Sequence, residues 1–125
     1  MIKYIVFATL TLSFFVSCGS SSYSNNDTTG QVITVNGANL EKGKELYVKC
    51  VGCHGINGEK HALGKSDSIA GQNSQITISQ LKEYRAGTLN KYGMGALMKG
   101  QISGFSDNDI RDISYNIERL SGYTP

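Results

Sequence analysis

The stretch "ELYVKCVGCHG", Glu45 to Gly55, places two thiols three residues apart and an imidazole directly after the second. These are Cys50, Cys53 and His54, and the chain has one other cysteine, Cys18. The residues leading in, "NLEKGKELYVK", read as helix, so the pair stands at a helix C-terminal end. A redox dithiol wants the opposite placement, at a helix N-terminus where the thiol pKa falls. A structural zinc site wants about four ligands, and beyond these three only His61 is left to serve.

Covalent haem attachment uses every group in the stretch. Cys50 and Cys53, one turn apart, are spaced to form thioethers with two vinyl groups, and His54 is then held as the proximal iron ligand. Gly52 and Gly55 are expected to keep side chains away where the backbone passes the porphyrin. One covalently attached haem c is therefore the expected cofactor.

Working outward, the first residues have a different character. "MIKYIVFATLTLSFFVSC" carries one lysine, an apolar run from Tyr4 to Val16 and a small Ser17, which reads as a signal peptide over residues 1–17. The run is short for a membrane span, which needs about 20 residues, so an uncleaved anchor helix is the weaker reading. Phe15-Val16-Ser17-Cys18 resembles the lipobox of bacterial lipoproteins, which would make Cys18 an acylated first residue of the mature chain and fix it to a membrane surface. Residues 18–37, opening "CGSSSYSNNDTTGQ", are polar and serine-rich and read as a flexible tether. The formal net charge is +2, and loss of residues 1–17 removes only Lys3. No basic patch for nucleic acid emerges.

The remainder, residues 38–125, resembles the small class I cytochromes c of the c553 and c4-like kind. The resemblance rests on "KGKELYVKCVGCHGINGEK", "IAGQNSQITISQLKEYRAG" and "SGFSDNDIRDISYNIERL", and covers about residues 38–121. It implies an all-α fold, about four helices wrapped around one covalently bound haem. The residues agree: Ser106 and Asp109 are spaced as a capping box, and Ile110, Ile113, Ile117 and Leu120 form one apolar stripe behind them. Ile78, Leu81 and Tyr84 make another stripe, with Gly87 as its stop. From the resemblance, the last helix should cross the first near Gly43. Relatives tend to carry an aromatic at the position of Asn116, so that helix is expected to rotate and use Tyr115 instead.

For the sixth iron ligand the resemblance implies a methionine. Two candidates follow the signal peptide, Met94 and Met98. In related sequences the ligand lies about eight residues before the residue that starts the last helix. Counted from Ser106 this favours Met98, with Met94 the alternative because no Asn-Pro pair precedes either. The other methionine would pack on the porphyrin. His61 reads as a surface residue. Arg85 is a candidate for a haem propionate, with an exposed ion pair the competing reading. The only proline is Pro125, so the proline carbonyl that orients the proximal histidine in many relatives is missing, and a carbonyl near Ile69 is expected to replace it.

Functionally, these readings describe a single-electron carrier on the periplasmic side of a bacterial membrane, monomeric and not an enzyme by itself. The resemblance implies a quinol-oxidising complex as donor and a terminal oxidase or periplasmic reductase as acceptor. Lys60, Lys65, Lys91 and Lys99 are candidates to meet acidic partners. Two rivals are a haem sensor with an open or labile sixth position, favoured by the glycines of "GMGALMKG", and a haem subunit of a larger redox enzyme.

Overall fold

The computed structural model describes residues 32–121. Asn36 and Gly37 take positive φ, 49° and 76°, and turn the chain back on itself. The result is a two-stranded antiparallel hairpin, β1 (Thr34–Val35) and β2 (Ala38–Asn39), with Val35 opposite Ala38. Residues 34–37, the end of the segment read as tether, belong to this hairpin. Ala38 is fully buried and packs with Leu40 and Tyr115, which gives the hairpin a reason to dock.

Helix α1 (Leu40–Tyr47) starts directly from β2. Asn39 caps it, accepting from the Lys42 N–H at 3.1 Å, while its own N–H donates to the Asp112 carboxylate at 2.9 Å. α2 (Val51–His54) is a single turn that carries the attachment motif. A long connection with one 3-10 turn, Ala62–Gly64, leads to α3 (Ser74–Ala86). Asn73 caps α3 through two backbone N–H groups, and the Gly87 N–H closes it on the Glu83 and Tyr84 carbonyls. α4 (Gly95–Ile102) precedes α5 (Asp107–Glu118), which opens with the expected Ser106–Asp109 capping box.

Among the described residues there are thus five α-helices, one of them the single turn α2, where about four were expected. The segment read as a mobile glycine-rich loop is helical over α4. Its Gly95 N–H donates to the Asn90 side chain at 2.8 Å, and a Cβ at Gly95 would collide with the Leu89 carbonyl. A side-chain anchor and a close backbone approach therefore set where α4 begins.

α1 and α5 pack across one another at the place the resemblance implied. A Cβ on Gly43 would overlap the Asp112 carbonyl oxygen and stand 2.9 Å from the Asn116 Cβ. Asn116 therefore faces the crossing itself. Tyr115 does not replace it; that ring joins Ala38 and Leu40 in a separate small cluster, and its hydroxyl accepts from Asn36 and Gln75. The main core gathers Leu46, Tyr47, Leu81, Phe105 and the Ile110–Ile113–Ile117 stripe.

The signal peptide and Cys18 lie outside the described residues, as does most of the tether. Among the described residues, no helix is long and apolar enough to cross a membrane.

Candidate functional site

Tyr47 ends α1, and its hydroxyl donates to the Gly55 carbonyl at 2.8 Å, tying the two ends of the attachment turn together. Within that turn the His54 N–H donates to the Cys50 carbonyl at 2.8 Å and the Gly55 N–H to Val51 at 2.9 Å. One helical turn thus places Cys50, Cys53 and His54 on a common wall. Gly55 then leaves with φ 83°, and a Cβ there would run into the Glu59 carboxylate. The two glycines differ: a Cβ on Gly52 would meet no other protein atom within 4 Å. Gly55, not Gly52, is the one that the protein's own packing demands.

The wall belongs to a cavity of about 450 Å³. Cys50, Cys53 and His54 line it together with Met94 and Met98, with Leu81, Ile113 and Ile117 among the apolar remainder. Met98 is one turn after Met94, and its N–H donates to the Met94 carbonyl at 3.1 Å. Met98 also packs on the main core, a contact that Met94 lacks.

The electrostatics suit ligation by neutral groups. Burial pushes the His54 imidazole below its ordinary pKa, so the ring is neutral and free to offer a lone pair. Its Nδ1 is buried without a hydrogen-bond partner. The carbonyl expected near Ile69 does not reach it; the Ile69 carbonyl accepts from the Gln72 N–H at 3.1 Å. Burial, then the neighbouring Cys53, raises the Cys50 thiol to about 11, so it stays protonated at neutral pH. Both thiols are free rather than joined in a disulfide.

Of the two readings of Arg85, the structure contains the ion pair. Its guanidinium donates to the Phe105 carbonyl at 2.7 Å and pairs with Asp107, and it does not line the cavity. Its length is spent joining α3 to the start of α5, the ion-pair reading. His61 is exposed, with its Nδ1 2.7 Å from the Ser66 carbonyl oxygen.

A family model described as cytochrome c matches residues 40–121. The chain belongs to the cytochrome c family.

Among curated relatives of this cytochrome, cytochrome c-553 of Nitratidesulfovibrio vulgaris (strain DSM 19637 / Miyazaki F) is 32% identical over 88 residues, covering 69% of this chain and 83% of that one. Cytochrome c4 of Azotobacter vinelandii is 31% identical over 104 residues, 74% of this chain but only 50% of its own length. Cytochrome c-554(548) of Halomonas halodenitrificans (strain ATCC 12084 / NCIMB 8669) is 38% identical over 72 residues, 58% of this chain and 84% of that one.

The cofactor of this cytochrome is one covalently attached haem c, and the residues present fit it. The cavity lies within the roughly 300–1,000 Å³ of small-molecule sites and is mostly apolar in its lining. Two free thiols and a neutral buried imidazole meet on one wall. The hairpin β1–β2, outside the family match, went unread in the sequence, although Asn36-Gly37 between Val35 and Ala38 signals it.

Proposed function

We propose that this monohaem c-type electron carrier holds its haem through Cys50 and Cys53, with His54 and Met98 as the axial iron ligands, and serves a periplasmic respiratory chain. The observation that carries the ligand assignment is one apolar cavity lined both by the attachment motif and by the two methionines. Met98 is favoured over Met94 because it packs on the main core as well, whereas Met94 occupies the capping position before α4. Held by Cys50, Cys53, His54 and Met98, the haem would supply one-electron redox chemistry when bound.

The protein's own residues do the rest. Leu81, Ile113 and Ile117 keep water from the cavity, which limits solvent reorganisation when charge changes. Cys53 is exposed and Leu97 is 46% exposed while lining the cavity, so the haem would have an edge open to a partner. Lys60, Lys65 and Lys99 are exposed and available to acidic surfaces, whereas Lys91 is engaged with Asp67. The partners we assign are a quinol-oxidising complex as donor and a terminal oxidase or periplasmic reductase as acceptor. Acylation at Cys18 would hold the carrier at the membrane and raise its effective concentration near such complexes.

Absorption spectra of the ferric and ferrous holoprotein test the ligand set. The weak far-red ferric band produced by methionine sulfur on iron is expected in the parent, retained in Met94→Ala and lost in Met98→Ala. Retention in Met98→Ala with loss in Met94→Ala would reverse the assignment. Ready binding of carbon monoxide to the ferrous parent would replace it with an open sixth position. For the anchor, Cys18→Ser should move the protein from membrane to soluble fractions with its haem intact.

A further inference from the structure

Two loops meet at the exposed rim of the cavity. One follows the attachment turn and lines the cavity with Leu63, Ser66 and Asp67; the other precedes α4 and contributes Leu89, Lys91 and Tyr92. Among the described residues, the polar contacts between them converge on one atom. Asp67 Oδ2 accepts from the Tyr92 hydroxyl and faces Lys91 Nζ at 3.4 Å. Lys91 Nζ in turn stands 4.7 Å from the centroid of the Tyr92 ring, closing a triangle.

The second loop has little else of this kind to hold it. At its start the Thr88 N–H and hydroxyl donate to the Glu83 carbonyl of α3 at 2.9 and 3.1 Å, while Gly93 N–H to the Asn90 carbonyl at 3.1 Å and Gly95 N–H to Asn90 Oδ1 at 2.8 Å are internal. The Thr88 bonds hold only the start of the loop beside α3, and the Asn90 bonds shape residues 90–95 without fastening them to another element. The loop runs straight into α4, whose capping residue is Met94 and whose first turn leads to Met98. A movement of the loop is therefore a movement of the methionines.

We propose that Asp67 and Tyr92 are positioning residues, whose hydrogen bond across the rim pins the loop before α4 and so limits how readily the methionine leaves the iron. The inference rests on the methionine ligation proposed above. Of the two donors the hydroxyl matters more. A hydroxyl-to-carboxylate bond is charge-assisted and directional, while Lys91 and Asp67 side chains are 61% and 75% exposed, a setting in which an ion pair contributes little.

The test uses ferric holoprotein and four variants: Asp67→Ala, Tyr92→Phe, the two combined, and Lys91→Gln. Two quantities are read, the rate at which added imidazole displaces the sixth ligand and the deuterium uptake of residues 89–94. Either single change at Asp67 or Tyr92 is expected to speed displacement about threefold to tenfold, the worth of one hydrogen bond at an exposed carboxylate. The double variant should be no faster than the faster single one, because both remove the same bond. Lys91→Gln should change the rate less than about twofold. Uptake in residues 89–94 should rise in the same three variants, with the unfolding midpoint near the parent's.

Parent-like rates and uptake in both single variants would overturn the proposal. So would effects that multiply in the double variant, or a response to Tyr92→Phe without one to Asp67→Ala. Failure of the methionine assignment looks different: the parent itself would lack the far-red band. The uptake of residues 89–94 then still decides whether the pin exists.

Discussion

The two sides of the cavity are built by different means. The proximal side is local: Cys50, Cys53 and His54 share one turn, the Tyr47 hydroxyl locks that turn to Gly55, and His54 is only 7% exposed. The methionine side is assembled from distant parts. Met94 and Met98 are half-buried, and their helix starts from a loop shaped by Asn90 and tied outward through Asp67. The attachment turn is thus held by local contacts, whereas the methionines rely on weaker, longer-range ones. On the proposed ligation, strength of attachment and adjustability of the methionine ligand could then be varied separately.

The largest effect that would break this comparison is on the covalent side. Replacing Cys50 and Cys53 together with alanine is expected to abolish haem staining on a denaturing gel; retained staining would remove the attachment assignment altogether.

Glycine substitutions sharpen the contrast. Gly55 has φ 83° and ψ 164°, a region nearly closed to other residues, and a Cβ there would meet Glu59. Gly55→Ala should cost about 3 kcal/mol, strain and overlap together. Gly93, on the methionine side, has φ 74° but no atom within 4 Å of an added Cβ, so Gly93→Ala should cost only about 1 kcal/mol. Denaturant unfolding of the two holoproteins measures both, and equal costs would deny that the proximal side is the more tightly specified.

Gly43 supports the proximal side from behind. In an open helix, alanine in place of glycine would stabilise by about 1 kcal/mol. Here the overlap with the Asp112 carbonyl reverses the sign, and Gly43→Ala should destabilise by about 1–3 kcal/mol.

The smallest effect is confined to alkaline pH. Burial, then nearby Cys50 and Glu59, raises the Tyr47 hydroxyl from 10.0 to about 12. The folded protein holds this proton more tightly than the unfolded chain. The contribution is therefore whole below pH 10 and disappears as pH rises towards 12. Tyr47→Phe should lose about 1 kcal/mol at neutral pH with its bond to Gly55, and should show a flatter decline of stability over that alkaline window than the parent.

Much of this was legible because it is local. The attachment motif, the Ser106–Asp109 capping box, the stop at Gly87 and the isoleucine stripe of α5 each lie within a few residues, and the structure contains all of them. α4 was harder to read, because "GALMKGQI" holds two glycines and no clear apolar stripe, and its start depends on Asn90. The destinations of Arg85 and Tyr92 were out of reach for another reason. Their partners, Asp107 and Asp67, lie 22 and 25 residues away along the chain, and only the folded arrangement selects them. The hairpin's Asn-Gly turn was present in the sequence but stood at the end of a long polar run that reads as tether.

The most direct test of the two-sided account is a proton NMR spectrum of the ferrous holoprotein with its methionine methyl groups isotopically labelled. A methyl held over the iron lies in the shielding cone of the porphyrin ring. The account predicts that the Met98 methyl is displaced far upfield and the Met94 methyl, packed beside the ring and not on the iron, much less. A far-upfield Met94 methyl, or none displaced at all, would contradict it.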